Sequence, residues 1–462
     1  MRYVSTRGEA PELGFEDVLL TGLARDGGLY VPALWPELPT REIAALRGLS
    51  YDEVAYHVMH PFIGGAIPEA QLRGMIADAY RGFGHPAVAP LKQLDDNQWL
   101  LELFHGPTLA FKDVAMQLLA RLMDWALAKR QSRATIVGAT SGDTGGAAVD
   151  AFKSSHHASL YMMHPHGRVS EVQRRQMTTV DSPTIHNIAI EGNFDDCQAI
   201  VKALFNDHGF RDKVGLAGVN SINWARIMAQ TVYYVTAALS LGAPGREISF
   251  SVPTGNFGDI FAGLVAKRMG IPASRLIIAT NVNDILDRTL KTGRYEMKGV
   301  RASSSPSMDI QVSSNFERLL FEVHGRDPYA VRHLMAGLAQ SGAFTIGERE
   351  LEQIRHEFAS GAVSEAETAQ TIRETLAETG ELLDPHSAVG YCVARRLENP
   401  ASAMVTLATA HPAKFPDAVE KACGVRPALP PRLQGMMTAP ERFTVLPNDV
   451  ARVRDFILQW QA

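Results

Sequence analysis

Residues 134–154 read ATIVGATSGDTGGAAVDAFKS. A β-branched apolar run over 134–140 gives way to SGDTGG, and GAAVDAFKS then carries apolar residues at helical spacing. Strand, glycine-rich loop and helix in that order make half of a parallel crossover. The pattern returns at EISFSV (247–252), PTGNFGD and IFAGLVAKRMG, and again at SAMVTLATA with PDAVEKACG. SLYMMHP, TIHNIAI and RLIIATN read as further strands. EVQRRQMTT, Asp195–Phe205 and Trp224–Leu241 read as helices. This alternation predicts an α/β fold, a mostly parallel sheet with helices on both faces. Ligands of such folds lie where the strands end in loops at their carboxyl ends.

Just upstream, 101–122 reads LELFHGPTLAFKDVAMQLLARL, after the short strand candidates PAVAPLKQL and QWLLELF. Gly106 and Pro107 break the chain, and Thr108 is the expected N-cap. Leu109, Phe111, Val114, Ala115, Leu118, Leu119 and Leu122 recur as the apolar face of a helix. Lys112 thereby falls in the first turn, where the positive end of the helix disfavours a cation. A neutral amine in an apolar setting attacks carbonyls and forms Schiff bases. On this helix alone, Lys112 reads first as a solvated surface lysine with Asp113 beside it as a helix-start acid. The neighbouring loops reverse that order.

The loop Thr140-Ser141-Gly142-Asp143-Thr144-Gly145-Gly146 lets backbone approach a ligand and turns N–H groups toward an anion. It matches neither a nucleotide P-loop nor a dinucleotide fingerprint. Thr254-Gly255-Asn256-Phe257-Gly258-Asp259 repeats the same physics ahead of another helix. Each loop alone also reads as a tight turn. Together with a lysine biased to the neutral form, they suggest a phosphorylated carbonyl cofactor, held by its phosphate and bonded to Lys112. Thr409, in TLATAHPAK, follows a strand and offers a neutral hydroxyl to a pyridine nitrogen, or simply caps a turn.

The rest of the chain frames these loops. Residues 1–90 read as a separate helical unit, with helices at Phe15–Leu23, Ile43–Leu46, Tyr51–Met59 and Ala70–Tyr80. ARDGGLYVPALWPELP between them is expected as an extended loop, a cover for a neighbouring site or a linker. Residues 91–430 form the catalytic region, and 431–462 a tail ending in an amphipathic helix near Asp449–Trp460. Residues 291–310, polar and serine-rich, are expected as a mobile or substrate-covering loop, and helices are expected from there to about 395. A net charge of −5 gives no general attraction to nucleic acid or anionic membranes, and no apolar run approaches a membrane span. Three dispersed cysteines and no visible secretory signal fit a reducing, cytoplasmic setting. The pairs His57 and His60, and His164 and His166, lack partner ligands at metal-binding spacing, so no metal is expected.

At this point a resemblance is plain. STRG and DGGLYVP near the start, FHGPTLAFKD, GATSGDTGGAA, NSINWARI, PTGNFGD, SSNFERLLFE and ATAHPAKF resemble the long-form threonine synthase family. That family belongs to the pyridoxal-phosphate enzymes of fold type II. The resemblance runs from residue 5 to about 415. It implies two open, mostly parallel sheet subdomains with helices on both faces, plus an N-terminal helical domain. It further implies that Lys112 is the Schiff-base lysine and that Gly255, Asn256, Phe257 and Gly258 cradle the cofactor phosphate. Thr409 would face the pyridine nitrogen. Asp143 stands beside the cofactor ring, where many relatives have Asn, and a carboxylate there accepts but does not donate. Thr140, Ser141 and Thr144 are the expected contacts of the substrate carboxylate. Asn220, Ser221, Asn223 and Arg226 are expected at the substrate phosphate, Arg226 because a guanidinium grips phosphate bidentately, with a buried structural ion pair as its alternative.

The reaction so implied is O-phospho-L-homoserine plus water to L-threonine plus phosphate. A phospho-lyase releasing 2-oxobutyrate and ammonia shares the early chemistry. A cofactor-binding protein without turnover is the reading of a different class. The expected assembly is a monomer or a homodimer.

Overall fold

A computed structural model describes residues 1–460. Its larger sheet runs, in spatial order, Phe358–Ala362, Ala273–Thr280, Ile248–Pro253, Ala403–Ala408, Gln98–Glu102 and Leu91–Gln93. All neighbours are parallel except the last pair. The smaller sheet runs Thr444–Pro447, Ile185–Glu191, Ala158–Pro165, Ala134–Ala139 and Leu216–Ala217, and is parallel throughout. The central strands are buried along almost their whole length, as strands covered on both faces must be. Two open, mostly parallel sheets with helices are therefore the fold, as expected.

The N-terminal region differs from an all-helical unit. Leu13–Gly14, Arg2–Ser5 and Tyr30–Pro32 form an antiparallel sheet. These strands span a few residues each, too short for a period-2 pattern to rise above the glycine and proline signals around them. DGGLYVPALWPELP is accordingly part strand. Its Trp35 ring meets Trp224 and Phe261 in tilted contacts at 6.0 and 6.3 Å and donates to Glu322 at 3.0 Å.

Three further elements depart from expectation. Ala343–Thr345 and Phe358–Ala362 are strands inside the stretch expected to be helical up to about 395. FASGA, at 358–362, lacks the β-branched residues that advertise a strand and is recruited as an edge by pairing with Leu276–Thr280. Thr444–Pro447 likewise turns part of the C-terminal tail into an edge strand beside Ile188–Glu191. Residues 291–310 are not free. Asp309 accepts hydrogen bonds from Asn281, Asn283 and Ser303, all between 2.6 and 2.9 Å, and the segment ends in a 3-10 turn at Pro306–Met308.

One buried apolar cluster extends from Tyr3 to Leu407. Helix Tyr51–Ile63 packs on Trp224–Ser240, and Glu69–Tyr80 packs on Lys112–Lys129. Trp224 is fully buried and its ring meets Tyr3, Trp35 and Phe62 within 6.0 Å. It thus joins the N-terminal elements to the helix that carries Arg226. Truncating it leaves a cavity that several rigid elements line, so Trp224→Ala should destabilise the chain by about 3–5 kcal/mol, read as a fall in the urea midpoint of unfolding.

Candidate active site

Lys112 is placed by a short antiparallel contact. Phe111 N–H donates to Thr409 O at 2.8 Å, His411 N–H donates to Leu109 O at 3.0 Å, and Ala110 bridges Ala410. The segment before the helix is thereby held against the end of strand Ala403–Ala408, and Lys112 and Thr409 are brought to one place. The helix begins at Lys112, with Phe111 as its flanking residue. Thr108 is not its N-cap. Its N–H and hydroxyl instead donate to the two oxygens of Asp113 at 2.7 and 2.6 Å. Asp113 therefore closes the turn that precedes the lysine, and burial pushes its carboxyl up to about 6 against those donors.

The Lys112 side chain is 11 % exposed, with Nζ 3.2 Å from Ser307 Oγ and 3.5 Å from Asp143 Oδ2. Its pKa is lowered chiefly by burial; Lys414 and Arg226 add to this and Asp143 opposes it. The helix start argued from the sequence is therefore not the main cause.

Asp143 is the first residue of helix Asp143–Phe152 and is buried. Its Oδ1 receives Lys414 Nζ at 2.9 Å and Gln173 Nε2 at 2.9 Å, and its Oδ2 receives Ser307 Oγ at 2.7 Å. Burial raises the carboxyl, but Lys414 and then Lys112 outweigh it and hold Asp143 well below the carboxylate range. Asp143 is therefore an anion with acceptors only, filled by protein donors. Lys414, fully buried, also donates to Thr108 O at 2.7 Å.

The loop after strand Ile248–Pro253 has the shape of a phosphate cradle. Phe257 takes a left-handed conformation (φ 62°) immediately before helix Gly258–Arg268, and its ring is buried against Phe316 and Phe358. Gly255 lies under the 3-10 turn: a Cβ there would stand 2.8 Å from Ser307 O. Asn315 donates twice to Asn256 O, and Ser313 donates to Gly255 O at 2.7 Å. The Asn256 side chain is exposed. The loop's carbonyls are thus satisfied from behind, leaving the helix start for an anion.

Around this centre, Thr409 is buried, and its N–H donates to Ser387 Oγ at 3.1 Å. Its hydroxyl has no hydrogen-bond partner among the described residues. Thr140 Oγ1 accepts the N–H groups of Gly142 and Gly145, both at 2.9 Å, so it shapes the loop. Ser141 is exposed and Thr144 half-buried.

Arg226 is buried and is not part of an ion pair. Nη1 donates to Val219 O at 3.2 Å, Nε has no partner, and burial lowers the guanidinium to about 10. A buried cation without a counter-anion is costly, and the cost is relieved by an anionic ligand. Arg226 also lies within electrostatic range of Lys112. Asn220 is exposed and Ser221 half-buried on the loop that Arg226 grips through Val219. Asn223 departs from expectation: its Nδ2 donates to Leu19 O at 2.9 Å and its Oδ1 caps Ala225 N–H at 3.0 Å. Both polar atoms are committed to the fold.

Sequence reasoning did not single out Ser307, Lys414, Asp384 and His386. Lys414 sits in the same loop as Thr409, and that shared strand end was its signal. Ser307 was hidden among several serines, and Asp384-Pro385 read only as an interruption of the helical stretch before about 395.

Comparisons with known proteins agree with this geometry. A family profile described as "Threonine synthase N terminus" matches residues 2–80, "Pyridoxal-phosphate dependent enzyme" matches 85–409, and "Threonine synthase, C-terminal" matches 387–457. The chain is 57 % identical over 461 residues to the threonine synthase of Pseudomonas aeruginosa, covering 99 % of this chain and 98 % of that one. It superposes on the PLP-bound threonine synthase of Brucella melitensis with a TM-score of 0.98 at 62 % identity, covering 100 % and 99 % of the two chains. On the yeast threonine synthase structure the TM-score is 0.95 at 38 % identity, covering 100 % and 98 %.

Asp113 yields a prediction with a definite sign. Its folded carboxyl lies above the unfolded value, so its contribution is fully present below the unfolded value and is lost as pH rises toward about 6. Asp113→Asn keeps an acceptor for Thr108 N–H and removes this dependence. Relative to the variant, the parent should gain about 2 kcal/mol between about pH 7 and about pH 4, measured by urea unfolding at each pH.

Proposed function

The chain belongs to the threonine synthase family of pyridoxal-phosphate-dependent enzymes, and from that premise we propose that it converts O-phospho-L-homoserine and water to L-threonine and phosphate. The residues present fit the cofactor: a glycine cradle at a helix start, a buried low-pKa lysine and a hydroxyl with no internal partner. Gly255, Asn256, Phe257 and Gly258 would hold its phosphate, Thr409 would face its pyridine nitrogen, and Lys112 would bond its aldehyde. When bound, the cofactor supplies an electron sink for the pair left when a proton is taken from substrate carbon.

Lys112, once free, is the base that takes the Cα proton and the acid that later returns one. Burial and the cations Lys414 and Arg226 favour its neutral form, which is the form that accepts a proton. Thr144 and Ser141, on the loop that carries Asp143, receive the substrate carboxylate, and Thr140 keeps that loop in shape. Arg226, with Asn220 and Ser221, binds the substrate phosphate. The bond from Cγ to the phosphate oxygen breaks with charge accumulating on the leaving group, so a fixed buried guanidinium stabilises the transition state more than the ground state. A Cβ proton is lost as phosphate leaves with the electron pair of its Cγ–O bond, a proton goes onto Cγ, and water adds its hydroxyl to Cβ while its remaining proton accompanies the phosphate. The observation that carries this reading is Arg226 itself, buried within electrostatic range of Lys112 with no anionic partner among the described residues.

No helix among the described residues is long and apolar enough to cross a membrane. The unpaired cysteines support a cytoplasmic setting, with a monomer or homodimer as the working assembly.

The test is a product assay on the purified holoenzyme, with phosphate, threonine and 2-oxobutyrate quantified together. Threonine equal to phosphate is the expected result. Phosphate with 2-oxobutyrate would make the chain a phospho-lyase, and no phosphate a binding protein. Lys112→Ala should abolish turnover. Arg226→Ala should raise KM for O-phospho-L-homoserine by about tenfold or more, the equivalent of one lost charge-assisted hydrogen bond.

A further inference from the structure

Ser307 touches three parts of the site at once. Its carbonyl rests against Gly255 of the phosphate cradle, its N–H donates to His386 Nε2 at 3.2 Å, and its hydroxyl lies between Lys112 and Asp143. We propose that Ser307 is a catalytic residue, the acceptor that holds the Lys112 amine whenever that amine is free, and that His386 is the residue that positions it. The proposal rests on the reading of Lys112 given above.

The direction of each hydrogen bond follows from its partners. Asp143 is an anion and only accepts, so the one proton of the Ser307 hydroxyl goes to Asp143 Oδ2 at 2.7 Å. The lone pairs of Ser307 are left for Lys112, whose Nζ stands 3.2 Å away. His386 is oriented in the same manner. Its Nδ1 lies 2.7 Å from Asp384 Oδ2, which places the ring proton on Nδ1 and leaves Nε2 to accept from Ser307 N–H. Asp384 is fully buried at the N-cap of helix Pro385–Arg396, and it also accepts from the Ser387 hydroxyl. Ser387 in turn accepts from Thr409 N–H at 3.1 Å. One helix cap therefore locates both the amine's partner and the residue facing the pyridine nitrogen. The Asn281, Asn283 and Ser303 bonds to Asp309 fix the segment that carries Ser307 from its other side.

During turnover a proton moves from substrate carbon to Lys112 Nζ and later leaves Nζ for carbon. Ser307 neither gains nor loses one. It and Asp143 accept the N–H bonds of the ammonium in between, so the proton is held where it is needed again.

The test uses the full-length protein with Ser307→Ala, Ser307→Thr, His386→Gln and His386→Leu. In the holoenzyme, Ser307→Ala should lower kcat by about tenfold or more, the rate equivalent of a hydrogen bond to a charged group, with KM within about threefold. In the cofactor-stripped full-length chain, acylation of Lys112 followed by mass spectrometry reads its titration directly. Loss of an acceptor for the ammonium should move the half-labelling pH downward. Ser307→Thr, which keeps the hydroxyl, should restore both readouts. His386→Gln, which keeps an acceptor, should stay near the parent, and His386→Leu should follow Ser307→Ala. An unchanged kcat and labelling curve in Ser307→Ala would overturn the proposal, as would a change in KM alone. Loss of cofactor absorbance in both Ser307→Ala and Ser307→Thr would make the residue structural and overturn it equally. An inactive Lys112→Ala beside an unaffected Ser307→Ala would reject only this inference; an active Lys112→Ala would reject the reading of Lys112 as well.

Discussion

The carboxylate of Asp143, buried between Lys112 and Lys414, is the interaction on which the site depends. Taking one anion and two amines out of water is costly, and the arrangement persists because every Asp143 oxygen is filled by protein donors. Lys414 holds the charge on Asp143, and that charge turns the Ser307 hydroxyl so that its lone pairs face Lys112. Arg226 adds a buried guanidinium with no anionic partner among the described residues, and a phosphate is the chemical complement of such a group.

The N-terminal elements take part in this arrangement. Asn223 ties the loop before Arg226 to Leu19 O, and Arg318 donates to Ile222 O and Tyr30 O. The loop before Arg226 is therefore tied to the N-terminal region and to helix Phe316–Val323. Glu317 meanwhile receives Thr6 and Arg7 at 2.6 to 3.1 Å, so the STRG stretch serves as a latch on the adjoining helix. Trp224 lies inside the apolar cluster that spans both regions.

What was legible in the sequence had a local cause. Gly255–Gly258 and Thr409 follow strands and Lys112 and Asp143 begin helices, and a single window of residues reveals both the junction and the chemistry. What was not legible depends on contacts distant in sequence. Ser307 faces Lys112 across 195 positions and Lys414 faces Thr108 across 306, and no local pattern encodes either pairing. The edge strands Phe358–Ala362 and Thr444–Pro447 exist because a sheet edge accepts them. The low pKa of Lys112 was anticipated, but for the wrong main reason: a helix start was argued, whereas burial and neighbouring cations supply most of it.

Lys112 and Lys414 flank Asp143, and only Lys112 is proposed to bond the cofactor. Borohydride reduction of the holoenzyme, followed by digestion and peptide mass mapping, decides between them. The added pyridoxyl mass is expected on the peptide containing Lys112 and none on the peptide containing Lys414. The mass on Lys414 would contradict that assignment, because the amine taken to be the counter-ion of Asp143 would then be the reacting group.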